Sequence, residues 1–255
     1  MTWKYIAASV TGKAHSDRNE TGQDRCRSEL VRLGKKEFFI GLVADGAGST
    51  TEGGIGAEIA CDTIYSSIVQ TLEKKEDLSC ITEPDITSWI TGARDSIGAC
   101  AKKQGKLLED YACTCIGSVA GRDHALFFQI GDGGIVINSD HDYRTIFWPE
   151  QGEYINSTSF LSDEAYREHL NITFTDSSFD EMALFTDGLQ NLVLSFSQKK
   201  AHAGFFNPIF ESLKKDSDHE FFGSSQHLSR FLLHHEISKR SDDDKTLVLA
   251  LRVPD

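Results

Sequence analysis

The chain has 255 residues, 39% of them hydrophobic, and a formal net charge of −13. This is enough apolar material for a core, and the length suits one large domain or two small ones. The acidic balance disfavours nucleic-acid binding, because phosphate backbones select basic surfaces and no run rich in Lys and Arg is present.

Neither a signal peptide nor a membrane span is expected. The first twenty residues have no long apolar core after a basic start. No segment reaches the roughly 18 uninterrupted apolar residues that a spanning helix requires. These features predict a cytoplasmic protein. Six cysteines are present without a CxxC pair, which fits reduced thiols in the cytosol, and Cys113 and Cys115 are expected to be small buried groups on one face of a strand.

The first half of the chain predicts three strands followed by two helices. Apolar runs indicate a strand over residues 3–10, a weaker strand over 29–33 and a buried strand over 38–44 that ends at Asp45. A helix follows, because its apolar residues recur at intervals of three or four: Ala57, Cys61, Ile64, Ile68 and Leu72. A second helix is predicted over roughly 85–110, and Pro84 suits its start.

The second half predicts short strands and then a helical section. Four strands at 114–120, 125–130, 135–138 and 144–147 are separated by hairpin-sized gaps, which favours antiparallel pairing. The polar segment 148–163 is expected to be an irregular flap. Further predicted elements are strands at 172–175, 182–186 and 246–253, and a helical section over 189–238.

This order of elements indicates an α+β fold in which helices cover antiparallel sheets. There is no GxxxxGK[ST] motif and no strand–GxGxxG–helix unit, which argues against a P-loop or a Rossmann cofactor site. The sequence shows no internal repeat and no Pro/Ser linker. We therefore expect residues 1–255 to form a single domain.

Four aspartates share one local pattern: each ends or follows an apolar run, in a turn rich in glycine or acidic residues. They are Asp45 in LVADGAGS, Asp132 in FQIGDGG, Asp187 in ALFTDGL and Asp243 in SDDDKTLVLAL. One Asp-Gly pair is usually only a turn. Four of them across the chain predict oxygen ligands for a hard cation, and so metal-assisted chemistry on a phosphate.

In chain order, the motifs GKAHSDRNETGQD, VADGAGS, IGDGG, FTDGL and DDDKT resemble those of the metal-dependent protein phosphatases of the 2C type. The closer resemblance is to a bacterial subgroup with DGAGS, and it extends from about residue 3 to 251. It implies an α-β-β-α sandwich of two packed antiparallel sheets flanked by helices. It also implies two Mn²⁺ or Mg²⁺ ions, and a bridging water that attacks phosphoserine or phosphothreonine.

The resemblance also implies roles for single residues. Asp45 would bridge both ions, the carbonyl of Gly46 would bind the second, and Asp187 and Asp243 would hold the first. Asp243 is anchored by the family's Asp-x-x-Thr pattern, although the neighbouring aspartates at 242 and 244 leave a one-residue error open. Two further aspartates complete the set: Asp132, with Asp187, for a weaker third ion, and Asp24 for orienting a metal-bound water.

Two positions depart from the family pattern. Gln23 replaces a glutamate, so this position lends no charge to the second ion. Ala47 stands where the family has a histidine thought to protonate the leaving group. His15 is the nearest candidate for that acid, and it occupies the position of a phosphate-binding arginine; Arg18 is the other candidate for the phosphate contact. The alternative for each is an ordinary exposed loop residue.

Three functions remain open from the sequence. The first is a phosphoserine/phosphothreonine phosphatase. The second is a catalytically weak phosphoprotein-binding module on the same fold, motivated by Gln23 and Ala47. The third is a metallohydrolase of small phosphoesters, for which no base-stacking motif is present. The resemblance further implies a cognate Ser/Thr kinase and a von Willebrand A-type protein as partners. Segment 152–160 resembles a flap beside the active site, and the other histidines are expected at the surface or in packing.

Overall fold

The fold is described from a computed structural model that covers residues 2–139, 142–148, 158–176, 179–215 and 221–254. Most of the predicted flap, including residues 152–157, lies outside these ranges. Residues 158–163, which end that segment, have no strand or α-helix, as the sequence predicts.

Twelve strands are found within the described residues. They are β1 (Thr2–Val10), β2 (Arg25–Leu33), β3 (Lys36–Ala44), β4 (Cys115–Ala120), β5 (His124–Ile130), β6 (Gly134–Ser139), β7 (Asp142–Thr145), β8 (Asn171–Asp176), β9 (Glu181–Phe185), β10 (Leu194–Ser195), β11 (Lys200–Ala201) and β12 (Lys245–Val253).

Seven α-helices accompany them in the same residues. They are α1 (Lys13–Ser16), α2 (Gly53–Lys75), α3 (Glu83–Gln104), α4 (Gln190–Val193), α5 (Ala203–Lys215), α6 (Phe221–Leu232) and α7 (His235–Ser238). Across the described ranges, no helix is both long enough and apolar enough to cross a membrane.

Two five-stranded antiparallel sheets form the centre of the molecule. Their strand orders are β1-β12-β9-β6-β7 and β2-β3-β4-β5-β8. The pairing sets Val10 opposite Lys245, Gly134 opposite Phe185 and Arg25 opposite Ala44. As a result, one end of the sandwich, here called the acidic edge, is formed by the ends of β1, β3, β5 and β9 and the starts of β2, β4, β6 and β12. The loops at this end carry the predicted site residues.

Three apolar layers hold the sheets and helices together. The layer between the sheets includes Phe39, Phe127 and Leu184. A second layer packs α2 and α3 on one outer face, and it contains all five residues predicted to form the apolar side of α2. A third layer packs the later helices on the other face, around Phe206 and Phe210. The predicted α-β-β-α sandwich is therefore confirmed.

Several predicted boundaries differ from the structure, and three of the differences have a clear physical reason. Helix α3 stops at Gln104, short of 110, because Gly105 adopts a left-handed conformation with φ of 68°. Strand β2 starts at Arg25 and pairs along its whole length with β3, so cross-strand pairing extends it beyond its weak apolar pattern. The section 189–238 is not continuously helical, since β10 and β11 form a short hairpin within it.

The cysteines behave as predicted from their spacing. The six are free thiols, and Cys113 and Cys115 are buried in the apolar layer beneath α2, which also contains Cys61. Burial raises the pKa of all three thiols, so they are packing groups rather than reactive ones.

Candidate functional site

Asp45 lies in the loop after β3, and hydrogen bonds of its backbone hold it in place. The Asp45 amide donates to Thr114 Oγ1 over 2.9 Å, and the Thr114 amide donates back to the Asp45 carbonyl over 2.8 Å. Gly46 then forms a bridge with Cys113. A β-carbon on Gly46 would overlap the carbonyl carbon of Gly53 at the start of α2, which explains the glycine.

Asp24 joins the two sheets at this edge. It precedes β2 and is buried, with 4% of its surface exposed. Its Oδ2 accepts a hydrogen bond from Thr186 Oγ1 over 2.6 Å and one from Thr246 Oγ1 over 2.9 Å. These two hydroxyls belong to the other sheet, after β9 and at the start of β12.

Asp187 and Asp132 come from neighbouring turns. Asp187 opens a 3-10 turn after β9, with Thr186 between the strand and the turn. Asp132 occupies the β5–β6 turn between Gly131 and Gly133, both of which have positive φ angles. Its Oδ2 accepts a hydrogen bond from Thr158 Oγ1 over 2.8 Å. The turn therefore presents the carboxylate toward Thr158, in the described part of the predicted flap.

The predicted carboxylates are close enough to perturb one another. The pKa of Asp45 is raised by burial, and then by the charges of Asp24 and Asp187. The pKa of Asp187 is raised by burial, and then by the charges of Asp132 and Asp243. Burial also raises the pKa of Asp24, against the effect of its two threonine donors. Asp24 and Asp187 are thus both close enough to Asp45 for their charges to raise its pKa.

Asp243 and Asp244, the two aspartates before Lys245, lie in different environments. Asp243 is exposed, and its charge acts on Asp187. Asp244 is 2% exposed and accepts hydrogen bonds from the backbone amides of Gly12 and Gln23. The charge that acts on Asp187 is thus that of Asp243, the predicted residue. Asp244 instead binds the backbone amides of two other loops.

His15 and Arg18 have opposite environments. His15 is on α1 and is 4% exposed, and its Nδ1 is 3.0 Å from Asp244 Oδ2. Within the described ranges, neither ring nitrogen makes a hydrogen bond of good geometry. The exposed-loop alternative is therefore wrong for His15, because α1 packs against the loop before β12. The exposed-loop alternative does describe Arg18, which is exposed and forms an ion pair with Glu20.

The two departures from the family pattern are both visible here. Ala47 is buried and follows the Asp45–Gly46 turn, so no side chain at this position can donate a proton. The Gln23 side chain donates from Nε2 to the Thr50 carbonyl over 3.1 Å. Its Oε1 is buried without a donor in the part of the chain that the structure describes. That oxygen retains its full capacity to accept a hydrogen bond.

The donor chemistry of this cluster fits divalent cations. The carboxylates are all-oxygen donors. After burial, the charges of Asp24 and Asp187 raise the pKa of Asp45, and those of Asp132 and Asp243 raise the pKa of Asp187; bound cations would offset that repulsion. In the described ranges, however, no three His, Cys, Asp or Glu side chains are arranged so that they could hold one ion as they stand. Mg²⁺ keeps several waters and uses only one or two carboxylates, so pairs such as Asp45 and Asp187 meet its needs.

Sequence reasoning missed several residues that support the site. Thr114, Thr158 and Thr186 each hydrogen-bond a predicted aspartate. Asp244 was recognised only as a neighbour of Asp243. A local signal existed for Thr186 alone, which precedes Asp187 in FTDGL; the others depend on long-range pairing.

A cavity of about 300 Å³ adjoins this edge, lined by residues that include Thr11, Gly22, Asp24 and Arg25. A larger cavity of about 690 Å³ is lined in part by Arg32, the β2–β3 turn and the β4–β5 turn, at the opposite edge. Its lining includes none of the predicted site residues. The larger cavity therefore does not coincide with the predicted site.

Comparison with known proteins identifies the family of this chain. The family model described as "Protein phosphatase 2C" matches residues 11–233. Serine/threonine-protein phosphatase 3 of Escherichia coli (strain K12) is 32% identical over 252 residues, which cover 98% of this chain and 99% of that protein.

Solved structures share the fold at low sequence identity. Serine/threonine phosphatase Stp1 from Staphylococcus aureus has a TM-score of 0.63 at 13% identity, covering 100% of this chain and 96% of that one. The catalytic domain of the phosphatase PstP, solved with two manganese ions, has a TM-score of 0.60 at 14% identity, covering 99% of each chain. With the family model and the E. coli relative, the chain belongs to the protein phosphatase 2C family.

Proposed function

We propose that this protein is a metal-dependent phosphatase that hydrolyses phosphoserine and phosphothreonine in proteins. The observation that carries the proposal is the cluster of Asp24, Asp45, Asp132, Asp187 and Asp243 at one edge of a 2C-type sandwich. Burial and neighbouring carboxylate charges raise the pKa of Asp45 and of Asp187, so this cluster is costly to assemble without a cation, and its convergence favours a metal-assisted reaction over a plain binding surface.

Each carboxylate receives a role in this proposal. Asp45 would bind both ions, the Gly46 carbonyl would bind the second, and Asp187 and Asp243 would hold the first. Asp132, with Asp187, would hold a weaker third ion. Two divalent ions supply a shared water of lowered pKa and neutralise charge on the transferring phosphoryl group. Asp24, fixed by its two threonine donors, would accept a hydrogen bond from the attacking water and orient it.

We propose His15 as the contact to the phosphate or the acid for the leaving oxygen. Its burial at the acidic edge and its two ring nitrogens without well-formed hydrogen bonds favour it. Arg18 remains the second candidate, but its guanidinium is held by Glu20 over 2.7 Å at an exposed position. A role for Arg18 would require that surface pair to break.

The test is phosphate release from a phosphothreonine peptide by metal-stripped protein, with Mn²⁺ titrated back and Asp187→Asn measured in parallel. We expect metal-dependent release that the substitution abolishes without unfolding the protein. Peptide binding without release at any metal concentration would favour the binding module. Release from p-nitrophenyl phosphate alone would favour a small-phosphoester hydrolase. A folded Asp187→Asn variant with near wild-type turnover would overturn the site assignment.

Four further proposals rest on the sequence pattern or on the resemblance to bacterial members of the family. Residues 1–255 would form one phosphatase domain, and the protein would act in the cytoplasm. A cognate Ser/Thr kinase would phosphorylate its substrates, and a von Willebrand A-type protein would be a partner. Co-purification from cells that contain all three proteins would test the partnership.

A further inference from the structure

Asp244 is a buried carboxylate with contacts to two distant loops. Its Oδ1 accepts the Gly12 amide over 2.7 Å, and its Oδ2 accepts the Gln23 amide over 2.6 Å. His15 Nδ1 is 3.0 Å from the same Oδ2. With 2% of its surface exposed, Asp244 has exchanged its hydration for these three groups.

The segments that meet at Asp244 all lead to predicted site residues. Gly12 opens into α1, which carries His15, and Gln23 precedes Asp24. The Asp244 carbonyl also faces Gly188 so closely that a β-carbon on Gly188 would overlap it, which sets the turn after Asp187. Asp244 therefore ties these loops together, alongside the hydrogen bonds from the Ala14 amide to the Asp242 carbonyl and from the Gly22 amide to Thr11 Oγ1.

A neutral amide cannot reproduce these contacts. Asparagine has a single side-chain acceptor oxygen, while Asp244 accepts two backbone N–H groups on two different oxygens. In Asp244→Asn one of those amides would face an NH₂ group and remain unsatisfied. Hydrogen bonds to a charged acceptor are also about twice as strong as neutral ones.

We propose that Asp244 is a positioning residue, which holds His15 and the Gln23–Asp24 loop in place for the reaction. This inference rests on the proposed phosphatase function. It assigns Asp244 no contact with metal or substrate. Asp244 acts through the placement of His15, the proposed phosphate contact, and of Asp24, the residue proposed to orient the water.

Two measurements test the inference, with Asp17→Asn as the control because it removes the same charge from an exposed position two residues from His15. First, amide hydrogen exchange on metal-stripped protein should show protected Gly12 and Gln23 amides in the wild type and in Asp17→Asn, and loss of protection of at least one of these amides in Asp244→Asn. Fast exchange of both amides in the wild type would overturn the inference without any variant.

Second, kinetics on a phosphothreonine peptide with Mn²⁺ should give a kcat/KM about 10- to 100-fold lower in Asp244→Asn. In a His15→Ala background the same substitution should cost clearly less, since part of its effect passes through His15. Full additivity in this double-mutant cycle, or unchanged kinetics in a folded Asp244→Asn, would overturn the inference. An inactive wild type would instead overturn the proposed function and with it the positioning role, while hydrogen exchange would still report the contacts.

Discussion

Replacing Thr186 by valine removes one hydroxyl from the junction of the two sheets. That hydroxyl donates to Asp24 Oδ2 over 2.6 Å and accepts the Thr246 amide over 3.0 Å. Thr186 is fully buried, so water cannot replace either partner. Valine has nearly the same shape, and the substitution therefore tests hydrogen bonding rather than packing.

The expected loss follows from those two bonds. A hydrogen bond to a charged group contributes about 1.5–3 kcal/mol, and a buried N–H left unsatisfied costs about 1–3 kcal/mol. Neighbouring effects are not fully additive, so we expect the free energy of unfolding to fall by about 3–5 kcal/mol. For a chain of this size that corresponds to a melting temperature about 10 °C lower.

Thermal unfolding of the metal-stripped protein is the assay, since bound ions would add stability through linkage. Thr186→Ser is the matched control, because it keeps the hydroxyl and loses only a methyl group; it should cost about 1 kcal/mol. The valine variant should also lose activity, since Asp24 loses a donor. Equal melting temperatures for the valine variant and the wild type would refute the view that this hydroxyl joins the sheets.

Three further predictions concern other parts of the molecule. Gly46→Ala should lower both stability and Mn²⁺-dependent activity, because its β-carbon overlaps the start of α2, whereas Gly48→Ala has open space and should change little. Glu181→Gln should cost stability near pH 7, with a difference from the wild type that shrinks as the pH falls below about 4.5. His15→Ala should lower turnover with little change in Mn²⁺ affinity, while Arg18→Ala should leave both nearly unchanged.

The sign for Glu181 follows from its surroundings. Burial would raise its pKa, but Lys214, Tyr143 and Asn138 outweigh burial and lower it. A lowered pKa adds stability above the unfolded value and loses it as the pH falls through the folded value. Urea unfolding at pH 7 and at about pH 4 measures the difference; a stability gap between Glu181→Gln and the wild type that stays constant or grows on acidification would contradict this assignment.

The other two predictions have their own decisive outcomes. Comparable melting temperatures for Gly46→Ala and Gly48→Ala would show that the close approach of the Asp45 turn to α2 is not needed. Unchanged turnover of His15→Ala would remove His15 from the phosphate contact, and a large loss in Arg18→Ala would transfer that role to Arg18.

Local patterns predicted the elements that carry the site. The apolar run 38–44 ends at Asp45 as expected, because a buried strand leaves its next residue at the sheet edge. The helical spacing from Ala57 to Leu72 matched the buried face of α2. These signals arise within a few residues and do not depend on the rest of the chain.

Long-range contacts were beyond such reasoning. Three consecutive aspartates at 242–244 are locally equivalent, and what separates them is the pairing of β12 with β1 together with the contact to Gly12, 232 residues away. The burial of His15 likewise follows from α1 packing on that loop. The hairpin β10–β11 escaped prediction because two-residue strands carry almost no pattern.

The central claim is that the five aspartates build a site for divalent cations. Calorimetric titration of Mn²⁺ into metal-stripped protein tests it most directly, with Asp45→Asn as the variant and the exposed Asp17→Asn as control. We predict at least two bound ions for the wild type and the control, and loss of both high-affinity sites in Asp45→Asn. Equal stoichiometry and affinity in wild type and Asp45→Asn would contradict the assignment of this cluster as the metal centre.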